Sequence, residues 1–382
     1  MGNSMSDLSN PDSSELDSLR QQLSESRESE LQLRTMYNNL KKLFELAPFG
    51  YQSLDEDGRL LDVNQTWLDT LGWTREDAIG RNFTEFLNPD WQAFFSEDFP
   101  KFKNRGVLKS AEIEMLKKDG SKIAVSFDGK VGRDSAGNFL QTHCFFRDIT
   151  ERRKSETYAE LGREILQILS GLGTLPEAIH RTLEALKQGT GFDAIGIRLK
   201  EGEDFPFYTQ RGFSEAFLQK ENSLLEYADD GAIHRDENGK ARLACDCGLV
   251  LSGKFDPAHP FFTQGGSFWV NDSRSLLDVA PETDPRFHPR NRCVYNGYAS
   301  FALVPIRVKD EVVGLIHFSN KQQGSFSKNS VELLEGIASH IGEALLRKRA
   351  EAALQEERKR LTDIIDFLPD ATFAVDGQGR II

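Results

Sequence analysis

The sequence predicts an α+β protein built as two successive sheet-containing units, with charged helices before, between and after them. Three observations carry this. The chain has 382 residues, and at roughly 100 to 200 residues per domain that asks for two or three domains. Between residues 47 and 153 a hairpin, a run of short helices and a three-strand meander follow one another. Further on, apolar strand-like runs at Ala194–Leu199, Phe301–Arg307 and Val312–Ser319 are framed by helical stretches at both ends.

Composition narrows the class. Apolar residues make up 38% and charged residues 28%, with 27 Phe, which is ample material for hydrophobic cores. A net charge of -13 and a pI near 5.2 disfavour binding to nucleic acid or to an anionic membrane surface. No apolar run approaches the length needed to span a bilayer, and Met1–Ser14 has no apolar signal-peptide segment, so a cytoplasmic location is expected. Four Cys are too few for a disulfide framework and fit a reducing compartment.

Element by element, residues 1–15 are polar and Ser-rich and are expected to be a disordered tail. Over 16–46, Leu16, Leu19, Leu23, Leu33, Tyr37, Leu40 and Phe44 recur at three- and four-residue steps. That predicts a helix, either weakly coiled with a partner or packed on the next domain, since Ser26 and Glu30 interrupt the seam. Pro48 closes it. Asp57-Gly58 makes a hairpin between Tyr51–Leu54 and Arg59–Val63, and the turns at Asp119-Gly120 and Asp134–Asn138 join the strands of the meander. His143 and Cys144 alternate on the last strand and must face opposite sides.

At Asp148-Ile149-Thr150 a strand gives way to a charged helix. Thr150 is expected to cap it, with Asp148 pairing with Arg152 or Arg153; these residues are the candidates for passing a signal from sheet to helix. The segments Arg147–Gly162 and Leu345–Asp363 combine recurring apolar positions with dense Glu, Arg and Lys, which predicts parallel helices in a homodimer. Glu215–Leu225 reads as helix, and Ala228–Gly265 has no clear pattern.

An internal repeat appears near the C-terminus. Leu46-Ala47-Pro48 followed by Leu54-Asp55-Glu56-Asp57-Gly58-Arg59 recurs as Phe367-Leu368-Pro369 followed by Val375-Asp376-Gly377-Gln378-Gly379-Arg380. A second copy of the first unit is expected to start there, and the chain is expected to be part of a longer protein.

Ala47-Pro48-Phe49-Gly50-Tyr51, Val63-Asn64-Gln65-Thr66-Trp67, Leu71-Gly72-Trp73-Thr74, Lys117-Lys118-Asp119-Gly120-Ser121 and Arg147-Asp148-Ile149-Thr150-Glu151-Arg152 together resemble a PAS domain. Phe192-Asp193-Ala194-Ile195-Gly196-Ile197, Tyr298–Ile306 and Val313-Gly314-Leu315-Ile316 resemble a GAF domain. The resemblance implies PAS over 47–153, GAF with its flanking helices over 154–350, a helical linker over 351–363 and the start of a second PAS domain over 364–382. It implies the sensory part of a signalling protein that answers a small-molecule or redox signal and drives a histidine kinase or cyclase output domain. A protein-interaction adaptor is the alternative, and an enzyme using the cysteines a third reading. No phosphoacceptor motif surrounds His340, and no catalytic motif appears.

Ligand motifs are sparse. The flavin and haem signatures of PAS domains are missing from Trp91–Lys103, where Phe94, Phe95, Phe99 and Phe102 are apolar core or pocket lining. Asn320, Lys321 and Phe326 resemble a cyclic-nucleotide GAF motif, but Ser330 and Val331 replace its acidic pair.

Cys245-Asp246-Cys247 and Cys293 stand out. If the first two thiols share one face of an extended segment, the three sulfurs offer soft ligands to zinc, iron or haem iron, with His259 or His288 as partners. Arg286, Arg290 and Arg292 would then depress the thiol pKa values. Small buried or loop residues are the other reading.

Overall fold

The computed structural model describes residues 13–171, 173–280, 284–367 and 375–381. They fall into two units, Met1–Arg153 and Lys154–Ile382. Residues 1–12 of the expected tail over 1–15 and the Leu368-Pro369 part of the repeat lie outside the described residues, while residues 13–15 belong to the first helix rather than to a tail.

Helix α1, Ser13–Glu45, runs unbroken and is exposed from Arg20 to Leu43. Its C-terminal end is tied down. Phe44 packs edge-on against Tyr51, and the Arg75 guanidinium donates to both carboxylate oxygens of Glu45 at 2.9 and 3.0 Å. Beyond it, β1 (Gly50–Leu54), β2 (Leu60–Val63), β3 (Val107–Leu116), β4 (Lys122–Arg133) and β5 (Phe139–Asp148) form one antiparallel sheet in the order β2-β1-β5-β4-β3. Helices α2 (Gln65–Leu71), α3 (Arg75–Ala78) and α4 (Pro89–Arg105), with a 3-10 turn at Phe83–Phe86, cover one face. Ile123, Val125 and Phe127 alternate inward along β4 and meet Trp67, Phe86 and Phe146 in the core. Asn64 is the hub of the entry. Its Oδ1 accepts from the amides of Tyr51 and Trp67, capping α2, while its Nδ2 donates to the carbonyls of Phe44 and Phe49.

The hairpin turn shows why the repeat is legible. Asp55 carbonyl accepts from Gly58, and Asp55 amide donates to Arg59 carbonyl, with Gly58 at φ +80°. Asp376, Gly379 and Arg380 make the same two bonds, and Val375 pairs with Ile381.

Helix α5 (Thr150–Ser170) spans the boundary between the units. The second unit holds α6 (Leu175–Thr190), β6 (Ala194–Leu199), β7 (Phe207–Arg211), α7 (Glu215–Glu221), α8 (Cys245–Leu251), β8 (Phe268–Val270), α9 (Arg292–Tyr295), β9 (Ser300–Val308), β10 (Glu311–Asn320) and α10 (Lys328–Phe367). Its sheet is antiparallel in the order β7-β6-β10-β9-β8. Strands β6, β9 and β10 are buried on both faces, so they read as continuous apolar runs rather than alternating ones. Ile195, Ile197, Ala302, Val304, Ile316 and Phe318 pack against α5, α6 and α10; the other face turns Arg198, Phe301, Leu303 and His317 toward α7 and α8.

Helix α7 stops at Glu221, short of the expected Leu225. The patternless stretch after it contains only isolated bridges, Leu225 to Leu243, Tyr227 to Ile233 and Arg235 to Ala241, before α8 begins. At the other edge, Glu335 of α10 accepts from the buried hydroxyls of Thr263 and Ser267. The backbone of Gly265 lies against that carboxylate, where any Cβ would overlap it.

Candidate functional site

The sheet face of the second unit and the segments over it enclose a polar chamber. Arg198 on β6 lies opposite Leu315 of β10, and His317 lies opposite Gly196, so both side chains project from the same face two positions apart. Phe217 and Glu221 of α7, Cys245, Asp246 and Cys247 of α8, and Asn291 to Val294 close it. The volume within is about 10 Å3.

Arg198 is fully buried, and its charge is met by backbone. The guanidinium donates to the carbonyls of Phe205 and Asn222 at 2.8 and 2.9 Å and to that of Glu221, and it stacks 3.7 Å from the Phe207 ring centroid. His317 sits among the rings of Phe207, Phe213, Phe217 and Phe301. Burial, helped by Arg198, pushes its pKa down to about 3, so the imidazole is neutral. Its Nε2 lies 3.1 Å from Ser319 Oγ and 3.6 Å from Cys293 Sγ.

The three cysteines do converge on this chamber, but not as the spacing implied. Cys245-Asp246-Cys247 opens helix α8 rather than an extended segment, so positions i and i+2 diverge around the helix axis. Cys245 is its first residue, at φ +60°, and its thiol accepts from the Arg290 amide at 2.8 Å and reaches the His288 carbonyl at 3.8 Å. That thiol pins the segment 286–291 over α8. The neighbouring arginines do not activate the sulfurs: burial pushes Cys245 and Cys247 up to about 12 and Cys293 well above its ordinary value. Their charge goes elsewhere. Arg286 pairs with Asp284 at 2.7 Å and faces Asp246 at 3.6 Å, and Arg290 pairs with Glu226 at 2.6 Å.

Neither expected histidine joins the thiols. His288 is exposed and stacked on Phe287, and His259 lies in the loop beside Phe261. Among the described residues no three His, Cys, Asp or Glu side chains are grouped to hold a metal ion. Protonated thiols around so small a volume do not fit a zinc or iron centre or a haem.

A second cavity, of about 70 Å3, lies in the first unit between α4 and the sheet. Phe94, Phe95, Phe99 and Phe102 all line it; Phe95, Phe99 and Phe102 also pack in the core, whereas Phe94 is exposed. Cys144 lines it too, its thiol pushed up to about 12 by burial, while His143 faces the other side and bonds Tyr51 Oη at 2.7 Å.

At the junction with α5 the side chains pair differently from the expectation. Asp148 Oδ1 accepts from the amide of Thr150, and Thr150 Oγ1 accepts from the amide of Ala124 on β4. Arg152 and Arg153 pair instead with Glu112 of β3. Asp148 therefore orders the first turn, and Thr150 fastens it to the sheet.

Comparison with known proteins agrees with this architecture. A family model of the PAS domain matches residues 48–151 and one of the GAF domain matches residues 174–345. The chain carries a PAS domain followed by a GAF domain. The sequence is 27% identical over 167 residues to the methyl sulfide methyltransferase-associated sensor of Methanosarcina acetivorans, a match covering 44% of this chain and 15% of that sensor. Similar solved structures include the PAS domain of a Colwellia psychrerythraea protein, at 21% identity and a TM-score of 0.29 over 30% of this chain and 98% of that one. Another is the PAS domain of an HTR-like protein from Haloarcula marismortui, at 26% identity and 0.27 over 32% and 99%. The GAF domain of an Acinetobacter phosphoenolpyruvate-protein phosphotransferase matches at 14% identity and 0.33 over 50% and 94%. The PAS and GAF units make this an α+β chain of the sensory, signal-transducing class. No described helix is long and apolar enough to cross a membrane.

Proposed function

We propose that the chain is the sensory and relay region of a cytoplasmic signalling protein, in which the PAS and GAF units respond to a small ligand and α10 carries the response to an output domain of the histidine-kinase type. The observation that carries this reading is the continuity of α10. Its first half is core, with Leu334, Ile337, Ala338, Ile341 and Leu345 buried against the GAF sheet, and the same helix runs on without a break to Phe367. A change in the sheet therefore moves a rod that leaves the domain. Beyond Leu345 this rod exposes Leu346, Leu354, Leu361, Ile364 and Ile365, which supports a homodimer joined along it.

The test is made on the whole gene product: ATP-dependent autophosphorylation is followed before and after deletion of residues 47–345. Output that is unchanged by the deletion, and by small molecules or redox state, would overturn the sensory reading in favour of an adaptor.

A further inference from the structure

Four polar atoms on four different elements are buried without a hydrogen-bond partner in the protein, and all belong to side chains lining the GAF chamber. They are Arg198 Nε on β6, His317 Nδ1 on β10, Glu221 Oε1 on α7 and Asp246 Oδ1 on α8. The arginines paired with the two carboxyls lie just beyond hydrogen-bond distance: Arg290 Nη1 is 3.7 Å from Glu221 Oε1, and Arg286 Nη1 is 3.6 Å from Asp246 Oδ1. Folding does not leave such atoms unpaired cheaply, and four side chains lining one void call for a common partner.

Their chemistry is balanced. The Arg198 Nε–H can only donate. In the tautomer in which Ser319 Oγ–H donates to His317 Nε2, the imidazole proton sits on Nδ1 and is a second donor. The two carboxyl oxygens accept. A void of about 10 Å3 matches one water molecule, which donates twice and accepts twice. Net charge is unwelcome there: Arg198 repels a cation, Glu221 and Asp246 repel an anion, and the thiols and His317 add no charge.

We propose that the GAF chamber is a binding site for a single uncharged molecule of about water's size, held by Arg198, His317, Glu221 and Asp246 and filled by water at rest. This rests on the reading of the GAF unit as a sensor and names what its chamber takes: a neutral hydrogen-bonding solute able to replace that water. The molecule bridges α7 and α8 to the sheet, so exchanging it alters how the helical cover is held.

A crystal structure of the 382-residue chain at a resolution that shows ordered solvent is expected to contain one peak within hydrogen-bond distance of at least three of the four atoms. Crystals soaked in bromide are expected to show no anomalous signal there. In solution, magnetic relaxation dispersion is expected to count one fewer long-lived internal water in Asp246→Leu than in the parent protein. A direct bond between the side chains with no peak, a bromide site in the chamber, or an unchanged water count would overturn the proposal. Each outcome is read without any signalling assay, so the site stands or falls separately from the sensory reading.

Discussion

Glu112 on β3 binds Arg153 through one carboxylate oxygen, 3.0 Å from Nε and 2.7 Å from Nη2, while its other oxygen takes Arg152. One acidic side chain of the sheet thus grips two consecutive arginines in the first turns of α5. The hydrogen bond from Arg153 holds the Glu112 carboxyl below its usual range, so its stabilisation is present above the ordinary glutamate pKa and is lost as pH falls through the depressed value. Glu112→Gln is expected to speed amide exchange in the first turns of α5 at neutral pH with little change in melting temperature. The difference between variant and parent should vanish in strong acid. A large loss of stability without faster exchange would count against a local clamp.

Asp246 makes the opposite kind of pH prediction. Burial raises its carboxyl to about 6, against the pull of Arg286, so the folded state binds a proton more tightly than the unfolded chain. Stability from this group is therefore full in acid and falls as pH rises from about 4 to 6. Asp246→Asn should be more stable than the parent above pH 6, by on the order of 2 to 3 kcal/mol, with the gain gone below about pH 4. Urea titrations across that range measure it, and a gain independent of pH would refute the assignment.

Slow thiol chemistry is expected of all four cysteines. With Cys144, Cys245 and Cys247 at about 12, only about one thiol in ten thousand is ionised at pH 8. Native protein should take up iodoacetamide far more slowly than urea-unfolded protein. Rapid alkylation of Cys293 would show that the chamber opens in solution.

Asn64 is fully buried with four hydrogen bonds, so Asn64→Ala leaves two amides and two carbonyls to find new partners. A loss on the order of 3 kcal/mol is expected in chemical denaturation. Limited proteolysis should also cut more readily between α1 and β1. A loss below about 1 kcal/mol would mean that water substitutes freely at the site.

To test the proposed dimer, Leu354→Glu combined with Leu361→Glu places charge on the exposed apolar positions of α10. Light scattering should shift from dimer to monomer. An unaltered mass, whether monomeric or dimeric in both proteins, would remove the seam from the interface.

What was legible in the sequence was whatever local chemistry specifies. Asp55, Asp119 and Asp134 each fold back onto amides two residues on, and a turn stabilised within five residues announces itself in any context. The PAS meander and the helix after Thr150 followed from such signals. The chamber did not. Arg198 and His317 sit inside strands that read as apolar runs, where a lone polar residue looks incidental until the sheet sets the two side by side. Helix α8 is seven residues long and begins at a cysteine with positive φ. It owes its form to Arg290 and Phe287, more than forty positions away, whose amide and carbonyl meet Cys245. The pairing of Arg152 and Arg153 with Glu112 was hidden for the same reason: it crosses about forty residues, and Asp148 was simply the nearer acid.

Because α10 passes from the GAF core to Phe367 as one helix, distance along it is also angle. From Leu345 to Phe367 the rise is about 33 Å at about 1.5 Å per residue, and each added residue turns whatever follows by about 100°. Lengthening the helix after Leu346 by seven residues would nearly restore the facing of everything downstream, whereas two or five would point it to the opposite side. An output domain attached there would thus be tuned by phase, and a ladder of insertions should switch it on and off with helical periodicity instead of weakening it steadily with length.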